Sequence, residues 1–151
     1  MMEHLGNGIP KEFIAKLIFV EGGSFLKNNH QFQNEPPKDR RYFILNKDPQ
    51  NDNTIVTVHA TTQKEKRKAV RSENVLVEIG NGECSAITQN SIIDCESWKV
   101  WPKTQLIDLV NDGTIESLDT LPPEILAKLR IAIGNSKTLY PIDKRLIFPD
   151  L

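Results

Sequence analysis

Residues 40–63 read "RRYFILNKDPQNDNTIVTVHATTQ", and this stretch sets the fold. Tyr42 to Leu45 form a short apolar run bounded by turn residues, which reads as a buried strand. Residues 47–53, "KDPQNDN", form a turn: proline fixes φ, and Asn and Asp accept local hydrogen bonds. "TIVTVHA" follows as a second strand, dominated by Ile55, Val56 and Val58. So short a turn between two strands predicts antiparallel pairing. The second strand ends on His59, Thr61, Thr62 and Gln63 and runs into "KEKRKAVR" at 64–71. Such an ending fits an ordinary strand terminus, and it also fits the rim of a phosphate site.

Outward from this hairpin, "NVLVEIG" (74–80) alternates and reads as a strand, "NGE" turns the chain, and "CSAIT" (84–88) continues it. "NSIIDCES" (90–97) gives another short strand. "PKTQLIDLVNDG" (102–113) reads as a helix stopped by Gly113. "TLPPEILAKLRIAIGNS" (120–136) is the clearest helix, with Thr120 as N-cap, two prolines in the first turn and Gly134 at the C-terminal cap. Its stripe of Ile125, Leu129 and Ile133 predicts packing on a sheet. Upstream, "KEFIAKLIFVEG" (11–22) carries Phe13, Ile14, Leu17 and Ile18 at helical spacing, while its "LIFV" also reads as a strand. "GGSFLKNNHQFQNEPPKD" (22–39) is rich in Gly, Asn and Pro and reads as a loop. Short strands at close spacing followed by helices imply an α+β fold: a strongly bent antiparallel sheet closed on one side by a helix.

The chain has 151 residues, which suits one domain spanning 1–151; no internal repeat or dividing linker is visible. With 38% hydrophobic and 26% charged residues, disordered and fibrous classes are excluded. The longest apolar run, "FIAKLIFV", is too short to span a bilayer, and no signal sequence is evident, so no membrane partner and a cytoplasmic location are expected. Cys84 and Cys95 lack metal-ligand spacing and read as reduced core thiols. A net charge of −1 excludes a globally basic nucleic-acid trap, so any polyanion site must come from local clusters. Two clusters exist: "PKDRR", with Lys38, Arg40 and Arg41, and "KEKRKAVR", with Lys64, Lys66, Arg67, Lys68 and Arg71. Each reads as a solvated charged loop or as a phosphate contact.

The order of these pieces resembles the PemK/MazF family of toxin ribonucleases. Its pattern is an arginine before an apolar strand, an Asn/Asp-rich turn, a second strand and a Thr–Thr–Gln type ending. Here Arg40 or Arg41, "YFILN", "KDPQNDN", "IVTVHA" and "TTQ" stand in that order. "ITQNSIIDCESWKVW" resembles the family's later strand, and "LPPEILAKLRIAIG" resembles its C-terminal helix. The likeness covers residues 38–134; segment 1–37 departs from the family's Gly–Asp-led opening, and 135–151 extends past its usual end. The resemblance implies a small bent SH3-like β-barrel with a C-terminal helix packed on it. It also implies a metal-independent endoribonuclease that needs no cofactor, acts on RNA, forms a homodimer and pairs with a cognate antitoxin.

RNA cleavage by its own 2′-hydroxyl requires loss of that proton, a phosphate held in line, and a proton for the leaving oxygen. The planar fork of an arginine suits the phosphate. Arg40 and Arg41 are adjacent, so in a strand they point to opposite faces and only one is expected at the site. Matching to the family favours Arg40. Threonine both donates and accepts hydrogen bonds, and the resemblance makes Thr61 the functional one. His59 shares its face in an extended chain, and histidine is the side-chain type suited to proton transfer near neutrality, so it fits either that task or a hydrogen-bonded structural role. Arg41, Thr62, Lys64, Lys66, Arg67 and Lys68 are the expected RNA-binding residues. His30 falls in the long loop and His4 at the terminus, and no cluster has the spacing of a zinc site. Trp98 and Trp101 suit base stacking or, better, anchoring of the following helix. The departures in 1–37 leave a second class open: a non-catalytic barrel that binds RNA or a protein.

Overall fold

The computed structural model describes residues 10, 13, 18–30 and 38–150. Seven strands run in chain order as β1 (Ser24–His30), β2 (Lys38–Ile44), β3 (Thr54–Thr61), β4 (Leu76–Ile79), β5 (Ser91–Asp94), β6 (Lys99–Pro102) and β7 (Ile115–Leu118). The helices bounded within the described residues are α1 (Lys64–Val70), α2 (Lys103–Asn111), α3 (Pro123–Gly134) and α4 (Pro141–Ile147). The fold is α+β with an antiparallel sheet of order β4-β5-β3-β2-β1-β7.

The bend lies on β3. One edge of that strand pairs with β6 through Thr54–Thr57 and with β5 through Ala60 and Thr61. Residues 95–98 loop out between the two partners, so the sheet turns there. Among the described strands β4 and β7 remain separate edges, so the expected closed barrel is not formed.

Both faces of the central strands are covered. Phe43, Leu45, Val56 and Val58 face α3 and α4 with Ile125, Leu129 and Ile133, as the apolar stripe required. Each of these three buried side chains stabilises the fold by roughly 1.5–3 kcal/mol. On the opposite face Tyr42, Ile44, Ile55 and Trp101 pack with Phe25, and α2 covers them through Leu106, Ile107 and Val110. The expected anchoring by Trp101 is thus met inside this core. Trp98 instead donates from Nε1 to Thr138 Oγ1 (3.0 Å) and meets Tyr140 edge-on, tying the C-terminal extension down. Both cysteines are buried and free, and burial, with Asp94 and Glu96 adding, pushes the Cys95 thiol up to about 12.

Several local expectations are corrected. Segment 24–30 is a strand rather than loop: "SFLKNNH" has weak strand propensity, but β2 and β7 pair with it on both edges. His30 belongs to that strand's end; residues 31–37 and His4 lie outside the described residues. The basic segment is helix α1, because Lys, Glu, Arg and Ala are helix formers, and Lys64 and Lys68, one turn apart on it, both meet Glu78 of β4. "CSAIT" turns instead of extending, with Ile87 N donating to the Cys84 carbonyl (3.2 Å). The cap of α3 shifts: Pro122, extended at φ −57° and ψ 145°, replaces Thr120, and Asn135 follows Gly134, which stays helical. Gly113 does terminate α2 in a left-handed conformation, φ 83°. Of the stretch 11–20, Phe13 and Ile18 are helical, and its other apolar positions Ile14 and Leu17 lie outside the described residues.

Candidate functional site

The β2–β3 hairpin builds the site, and Asn46 fixes its register. This fully buried side chain donates to Asp52 Oδ2 (2.8 Å) and the Thr54 carbonyl (2.9 Å), and its Oδ1 accepts from Val56 N (2.7 Å). A slip of one residue would break all three bonds and turn every side chain to the wrong face. In the resulting register Tyr42 lies across from His59 and Ile44 from Thr57. Continued two residues towards the open end, the same count sets Arg40 opposite Thr61.

At that end a polar cleft of about 120 Å³ opens. Asp39, Arg40 and Arg41 line it from β2, Ala60, Thr61 and Thr62 from the end of β3, and Thr88, Gln89 and Ser91 from the approach to β5. Arg40, buried at 8% exposure, is one of the residues lining the cleft. Burial raises the neighbouring Tyr42 phenol to about 12, against the pull of the Arg40 charge. Thr61 Oγ1 accepts from Gln63 N (3.2 Å), and its proton can still be donated. Ser91 Oγ donates to the Gln89 carbonyl (2.8 Å), which braces the far wall.

Both arginines line the cleft, against the expectation that only one reaches it. The pleat does separate them, but the cleft wraps the rim where the strands end and is open to both faces. Thr62 joins Thr61 there for the same reason. His59 shares the face of Thr61 but stands outside the lining, half-buried with its ring 5.6 Å from that of Tyr42. The wall formed by Thr88, Gln89 and Ser91 went unassigned in the sequence. Its signal is "TQNS", a polar run before an apolar strand, which mirrors the polar ending of β3.

The second basic cluster is elsewhere. Lys64 and Lys68 both reach Glu78 (2.8 and 3.2 Å), and their hydrogen bonds hold its carboxyl below the usual range. Arg67 and Arg71 both reach Asp94 (3.3 and 2.9 Å), whose side chain is 3% exposed. Glu96 N and Ser97 Oγ complete the shell of Asp94. Lys66 is exposed, and Lys68 and Arg71 border a separate depression beside β4. None of the α1 cations lines the cleft.

No protein-family model matches the chain, and no curated protein matches it in sequence. A solved structure described as an endoribonuclease from mycobacterial species is similar, with a TM-score of 0.51 and 13% identity, over 83% of this chain and 98% of that one. No helix among the described residues is long and apolar enough to cross a membrane. The chain therefore has a fold similar to that of an endoribonuclease, with a cleft of arginines and hydroxyls at the end of its central hairpin.

Proposed function

We propose that the protein is a PemK/MazF-like endoribonuclease, the toxin of a toxin–antitoxin pair. The observation that carries this reading is the meeting of Arg40, Arg41, Thr61 and Thr62 in one cleft. The similar fold of a known endoribonuclease supports it. The 2′-oxygen of the RNA attacks the adjacent phosphorus, the bond to the 5′-oxygen breaks, and a 2′,3′-cyclic phosphate and a 5′-hydroxyl result. Arg40 holds the phosphate through two parallel hydrogen bonds, and charge building on its oxygens strengthens them. Thr61 donates to the same group. Arg41 and Thr62 hold the strand to either side. His59 stays the candidate for proton transfer; its signature is loss of one limb of the pH–rate profile in His59→Gln.

Because the nucleophile and the leaving group both belong to the RNA, the reading needs no metal or cofactor. From the same resemblance come a homodimer and a cognate antitoxin peptide; the cytoplasmic setting rests on the sequence reading that found no signal sequence. The divergent 1–37 segment favours one competing reading, a non-catalytic module that binds RNA in the same cleft. Incubation of the purified protein with a long structured RNA in EDTA separates the two. Discrete cuts with 5′-hydroxyl and cyclic phosphate ends support the nuclease; bound but intact RNA overturns it.

A further inference from the structure

Beside the cleft, the sheet face that carries Arg40 continues in both directions. Lys27 on β1 pairs directly with Arg40, and Lys99 on β6 pairs with Thr57, one step along the face from His59. Side chains in register on neighbouring strands share a face. Lys27, Arg40, His59, Thr61 and Lys99 therefore stand on one surface, with Phe25, Tyr42 and Trp101 packed as its floor.

The two lysines differ from those of α1. Among the described residues neither Lys27 nor Lys99 has a carboxylate within ion-pair distance. Lys99 Nζ instead lies 4.2 Å from the Trp101 ring centroid. Desolvation first, and the like charge of Lys27 second, hold the Lys99 ammonium below its usual pKa. Asp112 also feels the charge of Lys27, but its carboxylate is turned to accept from Thr114 N (2.9 Å). Two ammonium groups that repel each other without an acid between them favour an anion.

We propose that Lys27 and Lys99 form a second anion subsite, on the face adjoining the cleft, that binds backbone phosphates of the RNA strand flanking the one held by Arg40. The proposal rests on the nuclease reading for the identity of the polyanion. A nucleic acid fits better than an acidic peptide because Lys27 lies directly across from Arg40, and Lys99 stands on the same face beside Thr57, so the cations are spread along the face that leads away from the cleft. A single strand crossing that face presents different phosphates to Arg40 and to the two lysines. The cations of α1 play no part in it.

The test is equilibrium binding of a 2′-O-methyl RNA, which cannot be cleaved, across a salt series. Wild type is compared with the Lys27→Gln/Lys99→Gln double variant, with urea midpoints confirming that both are folded. Each lost phosphate contact on a single strand lowers the salt slope by about 0.7. A drop near 1.4 with weaker binding is expected, and an aspartate-rich peptide of equal charge should not compete. An unchanged slope, or equal competition by the peptide, overturns the proposal. If binding shows the lysine-dependent slope while unmodified RNA stays uncut, the subsite stands and the nuclease reading falls.

Discussion

The two basic clusters of this chain look alike as sequence and behave differently as structure. "PKDRR" and "KEKRKAVR" each concentrate positive charge beside a strand of the central hairpin. The first presents Arg40 and Arg41 to a cleft with hydroxyls on the opposing wall. The second folds into α1 and spends its charge on Glu78 and Asp94. What separates them is where the carboxylates lie, and those come from β4 and β5, well downstream. Charge density in the sequence therefore does not say which cluster borders a cleft; the placement of each cluster in the fold does.

The comparison breaks first at Asp94. Its carboxylate accepts from Arg67, Arg71, Glu96 N and Ser97 in near-complete burial. Asp94→Ala removes a buried acceptor and leaves Glu96 N and Ser97 without it, beside two partly exposed guanidinium groups, which should cost roughly 1–3 kcal/mol. Urea unfolding reads this directly; a loss below about 1 kcal/mol would mean that α1 is held by something other than its charges.

Glu96 gives a pH-dependent version of the same principle. Burial disfavours its charge, but hydrogen bonds from Ser136, Lys137 N and Thr138 outweigh that and bring it to about 2, below the ordinary 4.5. The folded value is the lower one, so the stabilisation is complete above pH 4.5 and fades as pH falls towards 2. Glu96→Gln should therefore lower the unfolding midpoint at pH 7 and narrow its gap to wild type at pH 2–3. A gap that stays constant with pH would remove Glu96 from the account.

The smallest effect belongs to the exposed end of α1. Lys68→Met should leave the urea midpoint almost unmoved, since exposed ion pairs contribute little. It should raise the Glu78 pKa, seen by NMR titration, because one of its two hydrogen-bond donors is gone. A static Glu78 resonance would show that the clasp is not kept in solution.

These contrasts also mark what the sequence could reveal. The hairpin was legible because apolar runs and an Asn/Asp-rich turn are local signals, and α3 because its stripe repeats at helical spacing. That Arg40 and Thr61 would come to one rim was an expectation from that hairpin alone, and both line the cleft. β1 was hidden because "SFLKNNH" becomes a strand only through two distant partners. The sheet's open ends were hidden too, since closure depends on which edges meet and not on any one strand. Lys27 and Lys99 lay too far apart in the chain to suggest a shared face. For α1, composition pointed to helix, but the adjoining basic residues invited a loop reading, and the carboxylates that clasp it lie in other elements.

The central claim is that the cleft cuts RNA and that Arg40 carries its charge. The direct measurement is the single-turnover cleavage rate, in EDTA, of wild type and Arg40→Ala on the same RNA, with both proteins shown to be folded. Losing a donor to a developing oxyanion typically lowers the rate by about 10²–10³. A fall of that size is predicted. Cleavage at an undiminished rate in Arg40→Ala would contradict the account.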